Sequence, residues 1–108
     1  MTQIDTTLNV TVKEGRTEEF KKLSQEMSKA VENNEPGTRK YQFFLSDDEA
    51  QCVVNESYVN LEAALAHLKG VASKTILPKI FDACKINRFE VFGEINDDLL
   101  KALAQMGE

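Results

Sequence analysis

One histidine, His67, stands in a chain of 108 residues that has no nucleotide-binding loop, no metal-ligand cluster and no nucleophile motif. It is the one side chain here that titrates near neutrality without help from its surroundings. Leu61, Ala64, Leu65 and Leu68 mark the apolar face of the helix that carries it. At about 100° per residue, His67 falls roughly 110° from the centre of that face, on the stripe of Asn60. Such a flank position looks either into a cleft between helix and sheet or into solvent. A lone histidine is too little for a protein metal site.

The second candidate is Glu56. Tyr41, Phe43 and Leu45 alternate along one predicted strand, and Cys52, Val54, Glu56 and Tyr58 along the next. If the loop between them has an even number of residues, all seven share a face. A bulge would break that register. A carboxyl desolvated by valine and phenylalanine holds its proton or finds a partner. The plainer alternative is an acid at a strand end, solvated or paired with Lys or Arg. Tyr41 and Tyr58 can donate hydrogen bonds to a bound oxyanion, or can simply be core residues with a wet tip.

The elements that must hold these groups are legible from periodicity. Ile4, Thr6, Leu8, Val10 and Val12 alternate with polar residues, which predicts a strand. Glu14-Gly15 ends it, and Thr17 can cap a helix with Phe20, Leu23, Met27, Ala30 and Val31 on one face. Asn33 and Asn34 can stop that helix. Pro36-Gly37 suits the centre of a type II turn, with glycine supplying a positive φ. Strands follow over 38–46 and 51–59, joined by a polar turn at Asp47-Asp48-Glu49. Asn60 caps the helix of His67, and Gly70 interrupts it.

A second helical stretch carries Val71, Ile76, Leu77, Ile80, Phe81 and Cys84, kinked or restarted at Pro78. A last strand spans 86–93. Asn96 then caps a terminal helix with Leu99, Leu100, Leu103 and Met106 on one face. This order predicts an α+β fold: a ferredoxin-like split βαβ domain over residues 1–108, with a four-stranded antiparallel sheet and an extra C-terminal helix. Phe44, Val53 and Val59 oppose Phe43, Val54 and Tyr58, so both sheet faces are expected to be covered, the second by another copy of the chain.

Thirteen Lys and Arg stand against eighteen Asp and Glu, a net charge of −5. That sign disfavours nucleic acid and anionic membrane surfaces as partners. No apolar stretch is long enough to cross a bilayer, and residues 1–15 lack the pattern of a signal peptide. A cytoplasmic location is the simplest expectation. Cys52 and Cys84 sit among apolar neighbours and read as buried, reduced thiols.

Asn34-Glu35-Pro36-Gly37-Thr38 with Tyr41 and Phe43, Glu56 with Tyr58, and Ala63-Ala64-Leu65-Ala66-His67-Leu68 together resemble the antibiotic biosynthesis monooxygenase family. The likeness runs from about Leu8 to Gly93. It implies a homodimeric α+β barrel whose two sheets pack face to face. It also implies oxidation of a small aromatic, phenolic or quinol substrate by molecular oxygen without a cofactor. On that reading His67 is the base, Glu56 orients it, Tyr41 and Tyr58 are oxyanion donors, and Phe43 and Val54 line the cleft. The chain departs from some members in having no tryptophan. Relatives that bind or degrade haem, and a non-catalytic dimeric small-molecule-binding module, remain the alternatives.

Overall fold

A computed structural model describes residues 3–106, with side chains as far as Ala104. The elements run β1 (Ile4–Val12), α1 (Thr17–Asn34), β2 (Thr38–Leu45), β3 (Gln51–Tyr58), α2 (Leu61–Lys69), α3 (Val71–Thr75), α4 (Leu77–Asp82), β4 (Cys84–Phe92) and α5 (Asp97–Met106). The four strands form one antiparallel sheet in the order β2-β3-β1-β4. This is the α+β fold expected from the element order.

In β1 the residues Ile4, Thr6, Leu8, Val10 and Val12 are buried and the alternate ones are not, as period two requires. Against them α1 lays Phe20, Leu23, Ser24, Met27 and Val31. The start of α1 differs from expectation. Thr17 is its first helical residue, and Arg16 occupies the cap position without capping by its side chain. The Arg16 guanidinium instead grips Glu19 with two bonds of 2.7 Å and reaches Asp82 at 3.1 Å.

The turn after α1 also differs. Thr38 donates its N–H to the Glu35 carbonyl at 3.0 Å, so the tight turn exists. Gly37 does not take a positive φ, however, so this is not the type II turn. The glycine is needed for close approach: a Cβ there would lie 2.6 Å from the Ala63 Cβ. The missing side chain lets the start of α2 settle onto the turn.

Pro78 falls in the first turn of α4, where its missing N–H costs nothing, so of the two expectations the stretch restarts there and forms two short helices. Val71, apolar by type, is 78% exposed, and Cys84 opens β4 rather than closing a helix. Both cysteines are free and buried. In α5, Asn96 accepts a hydrogen bond from Leu99 N–H at 2.9 Å. Leu99 packs on Ile4, Tyr58 and Ala64, with Leu103 beside it. Leu100 is 50% exposed, because its neighbour on the seated stripe is one turn away rather than one residue. The Met106 side chain lies outside the described residues.

The second sheet face is less apolar than expected. Phe44 and Val53 lie on it, but its middle is a polar ladder. Thr7 bonds Asn55 at 3.5 Å, Gln51 bonds Thr11 at 3.0 Å, and Asn87 reaches Thr11 at 2.8 Å and Asn9 at 3.1 Å. Asn87 is free to do this because the β1–β4 register shifts there, leaving it as the extra residue of a bulge. No helix of the described residues is long and apolar enough to cross a membrane.

Candidate functional site

Register places the first group of residues. Leu45 pairs with Cys52, Phe43 with Val54 and Tyr41 with Glu56, so the even loop holds and the expected face is built. A shift between Thr38 and Lys40 comes only beyond it, and Thr38 lies across from Tyr58. On the other side of β3, Glu56 faces Thr6 and Val54 faces Leu8. The carboxyl of Glu56 therefore rises from the middle of the sheet among tyrosine, threonine and valine.

The helix above supplies His67. Asn60 accepts a hydrogen bond from Ala63 N–H at 2.8 Å and fixes where α2 begins. His67 then falls in the last turn, with only 2% of its surface exposed. Of the two orientations open to a flank position, it takes the inward one. Its ring lies 5.1 Å from that of Tyr41 and 5.4 Å from that of Tyr58, both tilted.

The hydrogen-bond partner of His67 is a residue that sequence reasoning assigned only to a turn. Glu35 Oε1 lies 2.7 Å from His67 Nδ1, whereas Glu56 Oε1 lies 3.6 Å from Nε2. So Glu35, rather than Glu56, makes the bond that orients the imidazole. Thr38 adds a hydroxyl bond to the same Glu35 oxygen at 3.2 Å. A carboxylate on Nδ1 selects the tautomer with its proton there and leaves the lone pair on Nε2. Glu56 itself accepts a short hydrogen bond from the Tyr58 hydroxyl.

Beneath His67 lies a cavity of about 160 Å³ between sheet and helices. Tyr41, Phe43, Val54, Glu56 and His67 all border it; Tyr58 does not, and packs behind Glu56. The remaining walls are apolar, among them Leu8, Phe20, Leu77, Phe89 and Leu103. Phe89 and Ile86 are 40% and 41% exposed and mark the side on which β4 is the sheet edge. The space exists because the core splits in two. One cluster packs α1, α3 and α4 on the sheet, and the other gathers Ile4, Tyr58, Ala64 and Leu99 under α2 and α5.

The electrostatics follow from burial. Desolvation pushes the Glu56 carboxyl above its ordinary value; the neighbouring His67 ring and the hydroxyls of Tyr58 and Thr6 pull it part of the way back. Tyr41 and Tyr58 are both raised well above an ordinary phenol, first by burial and then by the negative charge of Glu56. Both phenols therefore remain protonated donors at neutral pH. The Tyr58 proton is already committed to Glu56, while Tyr41 makes no hydrogen bond to a described residue. The cleft thus joins an imidazole with a free lone pair, an unengaged phenol and an acid inclined to keep its proton. No Lys or Arg lines it among the described residues.

A family model described as antibiotic biosynthesis monooxygenase matches residues 7–78, two thirds of the chain. No curated protein sequence matches significantly. Among solved structures, a Caulobacter crescentus protein assigned as an antibiotic biosynthesis monooxygenase superposes with a TM-score of 0.78 at 22% identity, covering 88% of this chain and 92% of its own. MupZ from Pseudomonas fluorescens gives 0.75 at 23% identity, over 97% of this chain and 81% of its own. A conserved protein from Methanosarcina mazei gives 0.77 at 15% identity, over 88% and 95%. At these identities the likeness is one of fold.

Proposed function

The chain belongs to the antibiotic biosynthesis monooxygenase family, and on that premise we propose that it oxidises a small, uncharged phenol or quinol with molecular oxygen and without a cofactor. The observation that carries this reading is the His67 imidazole, held by Glu35 at 2.7 Å on one nitrogen and bordering an apolar cleft of about 160 Å³. A cavity of roughly 150 Å³ accepts a benzene-sized molecule. The volume therefore favours a single ring, and the absence of a cation in its lining favours a neutral one.

The chemistry is as follows. His67 Nε2 takes the phenolic proton, and Tyr41 donates to the oxyanion that forms. The electron-rich ring gives electrons to oxygen, and a bond forms between oxygen and a ring carbon that carries hydrogen, para to the oxyanion in a simple phenol and ortho to it in a para-hydroquinone. His67 returns the proton to the peroxide. Loss of the hydrogen on that carbon then breaks the O–O bond, releasing water and leaving a quinone. Phenol plus dioxygen thus balances quinone plus water, with all four electrons supplied by the substrate. The dry lining of Phe43, Val54 and Leu8 keeps water from the intermediate.

A haem-binding reading fits the geometry less well: His67 is buried and borders a cleft of about 160 Å³, room for a single ring and not for a porphyrin. A purely binding module does not call for a carboxylate behind a buried imidazole. The proposal includes a homodimer, with Phe44 and Phe92, 52% and 53% exposed on the second sheet face, flanking its polar ladder. The test is oxygen uptake by metal-free protein over a panel of monocyclic phenols and hydroquinones. Uptake matched one to one by quinone is expected. A panel with no uptake and no quinone ends the proposal.

A further inference from the structure

Glu35 stands between two spaces, lining the outer one and touching the inner one only through His67. Its Oε1 bonds His67, which lines the inner cleft. Glu35 itself lines an outer groove of about 630 Å³, walled by Pro36, Ala63, Ala66, Gly70 and Ile76. The side chain is 12% exposed, against 2% for His67. Oε2 accepts no hydrogen bond from a described residue, and a Cβ added to Gly70 would lie 3.7 Å from it. The small residues along this wall leave the carboxylate within reach of solvent. The cleft on the other side of His67 is lined by Phe43, Val54 and Leu77.

We propose that the outer groove is the solvent port of His67: Glu35 carries protons between the imidazole and groove water, so the substrate cleft exchanges protons without admitting water. The inference rests on His67 being the base of that cleft. A proton arriving at Nε2 from substrate lets the Nδ1 proton pass to Glu35 Oε1, and the carboxyl releases it to water in the groove. The reverse sequence re-supplies Nε2 when the peroxide is to be protonated. No bond other than N–H and O–H changes, and the imidazole ends each round trip in its starting tautomer. Glu35 is on this account a positioning and relay residue that acts through His67.

The test reads the imidazole directly and needs no substrate. In protein labelled at histidine nitrogen, magnetic resonance follows the Nδ1 proton and its exchange with water. Glu35→Ala should shift the ring away from the Nδ1-protonated tautomer. Added formate, small enough for the groove, should restore it. Ala66→Phe in the same background should block that restoration, because Ala66 lines the groove and not the cleft. Rescue that persists in the Ala66→Phe background, or no rescue at all, overturns the proposal.

Should Glu35→Ala fail to fold, Glu35→Gln keeps the shape and a hydrogen bond but cannot accept a proton. Exchange of the Nδ1 proton should then slow by about 10²-fold or more, in line with what one proton-transfer group supplies. Exchange at the wild-type rate overturns the proposal by itself. Lack of oxygen uptake in the wild type would instead remove the monooxygenase reading and leave these resonance results standing.

Discussion

Glu35 Oε1 and His67 Nδ1 meet at 2.7 Å across thirty-two positions of sequence. Glu35 is the C-cap residue that follows α1, and His67 lies in the last turn of α2. Their meeting converts a solitary histidine into an oriented base, since the carboxylate decides which ring nitrogen is left with a lone pair. It also explains why Gly37 matters to a site it does not touch. The turn that presents Glu35 closes on α2 only if nothing projects from position 37 toward Ala63.

Replacing His67 by alanine is expected to lower oxygen uptake by about 10²- to 10⁴-fold, the usual contribution of a positioned general base. The domain should still unfold cooperatively on heating, with stability reduced by about 1–3 kcal/mol because the buried Glu35 oxygen loses a partner. Turnover equal to wild type in a folded His67→Ala protein would remove His67 as the base.

The two tyrosines should separate in kinetics. Tyr41 has an unengaged hydroxyl at the cleft, whereas the Tyr58 hydroxyl is committed to Glu56. Tyr41→Phe is expected to cut kcat by about 10²-fold or more, in line with loss of an oxyanion donor. Tyr58→Phe should cost less turnover and more thermal stability. The reverse order would show that the oxyanion lies on the Tyr58 side.

Glu56 gives a pH dependence of defined sign. Its carboxyl is raised above the ordinary 4.5 by burial, so the folded protein binds this proton more tightly than the unfolded chain. Where the native state holds more protons, stability falls as pH rises. The loss begins near the unfolded value of 4.5 and is complete above the raised native value. Glu56→Gln cannot ionise. The melting temperature of Glu56→Gln minus that of wild type should therefore grow more positive from pH 4.5 upward and level off. A difference independent of pH would mean that Glu56 ionises in the fold as it does in water.

Gly37→Ala tests the close approach. The backbone there is open to any residue, since φ is not positive, so the cost is steric alone. A methyl 2.6 Å from the Ala63 Cβ forces α2 away from the turn, at about 1–3 kcal/mol. The shift should also loosen the Glu35–His67 contact and lower turnover. Adding Ala63→Gly to Gly37→Ala removes the clash and should recover much of both losses, as a double-mutant cycle would record. No recovery would place the role of Gly37 elsewhere.

Local chemistry made much of this molecule legible from sequence. Period two wrote β1, Asn60 and Asn96 wrote two helix starts, and an even loop between Leu45 and Cys52 put Tyr41, Phe43, Val54 and Glu56 on one face. These features depend on residues close in the chain, or on the fixed alternation of paired strands, so a pattern suffices. Glu35 was hidden because its neighbours explain it fully as the residue before a proline. Its second role arises only when α2 crosses the end of α1. Whether His67 looked in or out was likewise undecided at the helix flank, and packing of α2 on the sheet turned it inward. The second sheet face went the other way: Phe44 and Val53 suggested a dry surface, and the bulge at Asn87 helped complete a polar ladder instead. The chain alone determined the main elements and their order, and, given an even loop, the register of the central hairpin, because these follow from short-range stereochemistry. Tertiary structure alone decided the Glu35–His67 pair and the cleft beneath it, because both depend on how closely two helices approach across a gap that no local pattern measures.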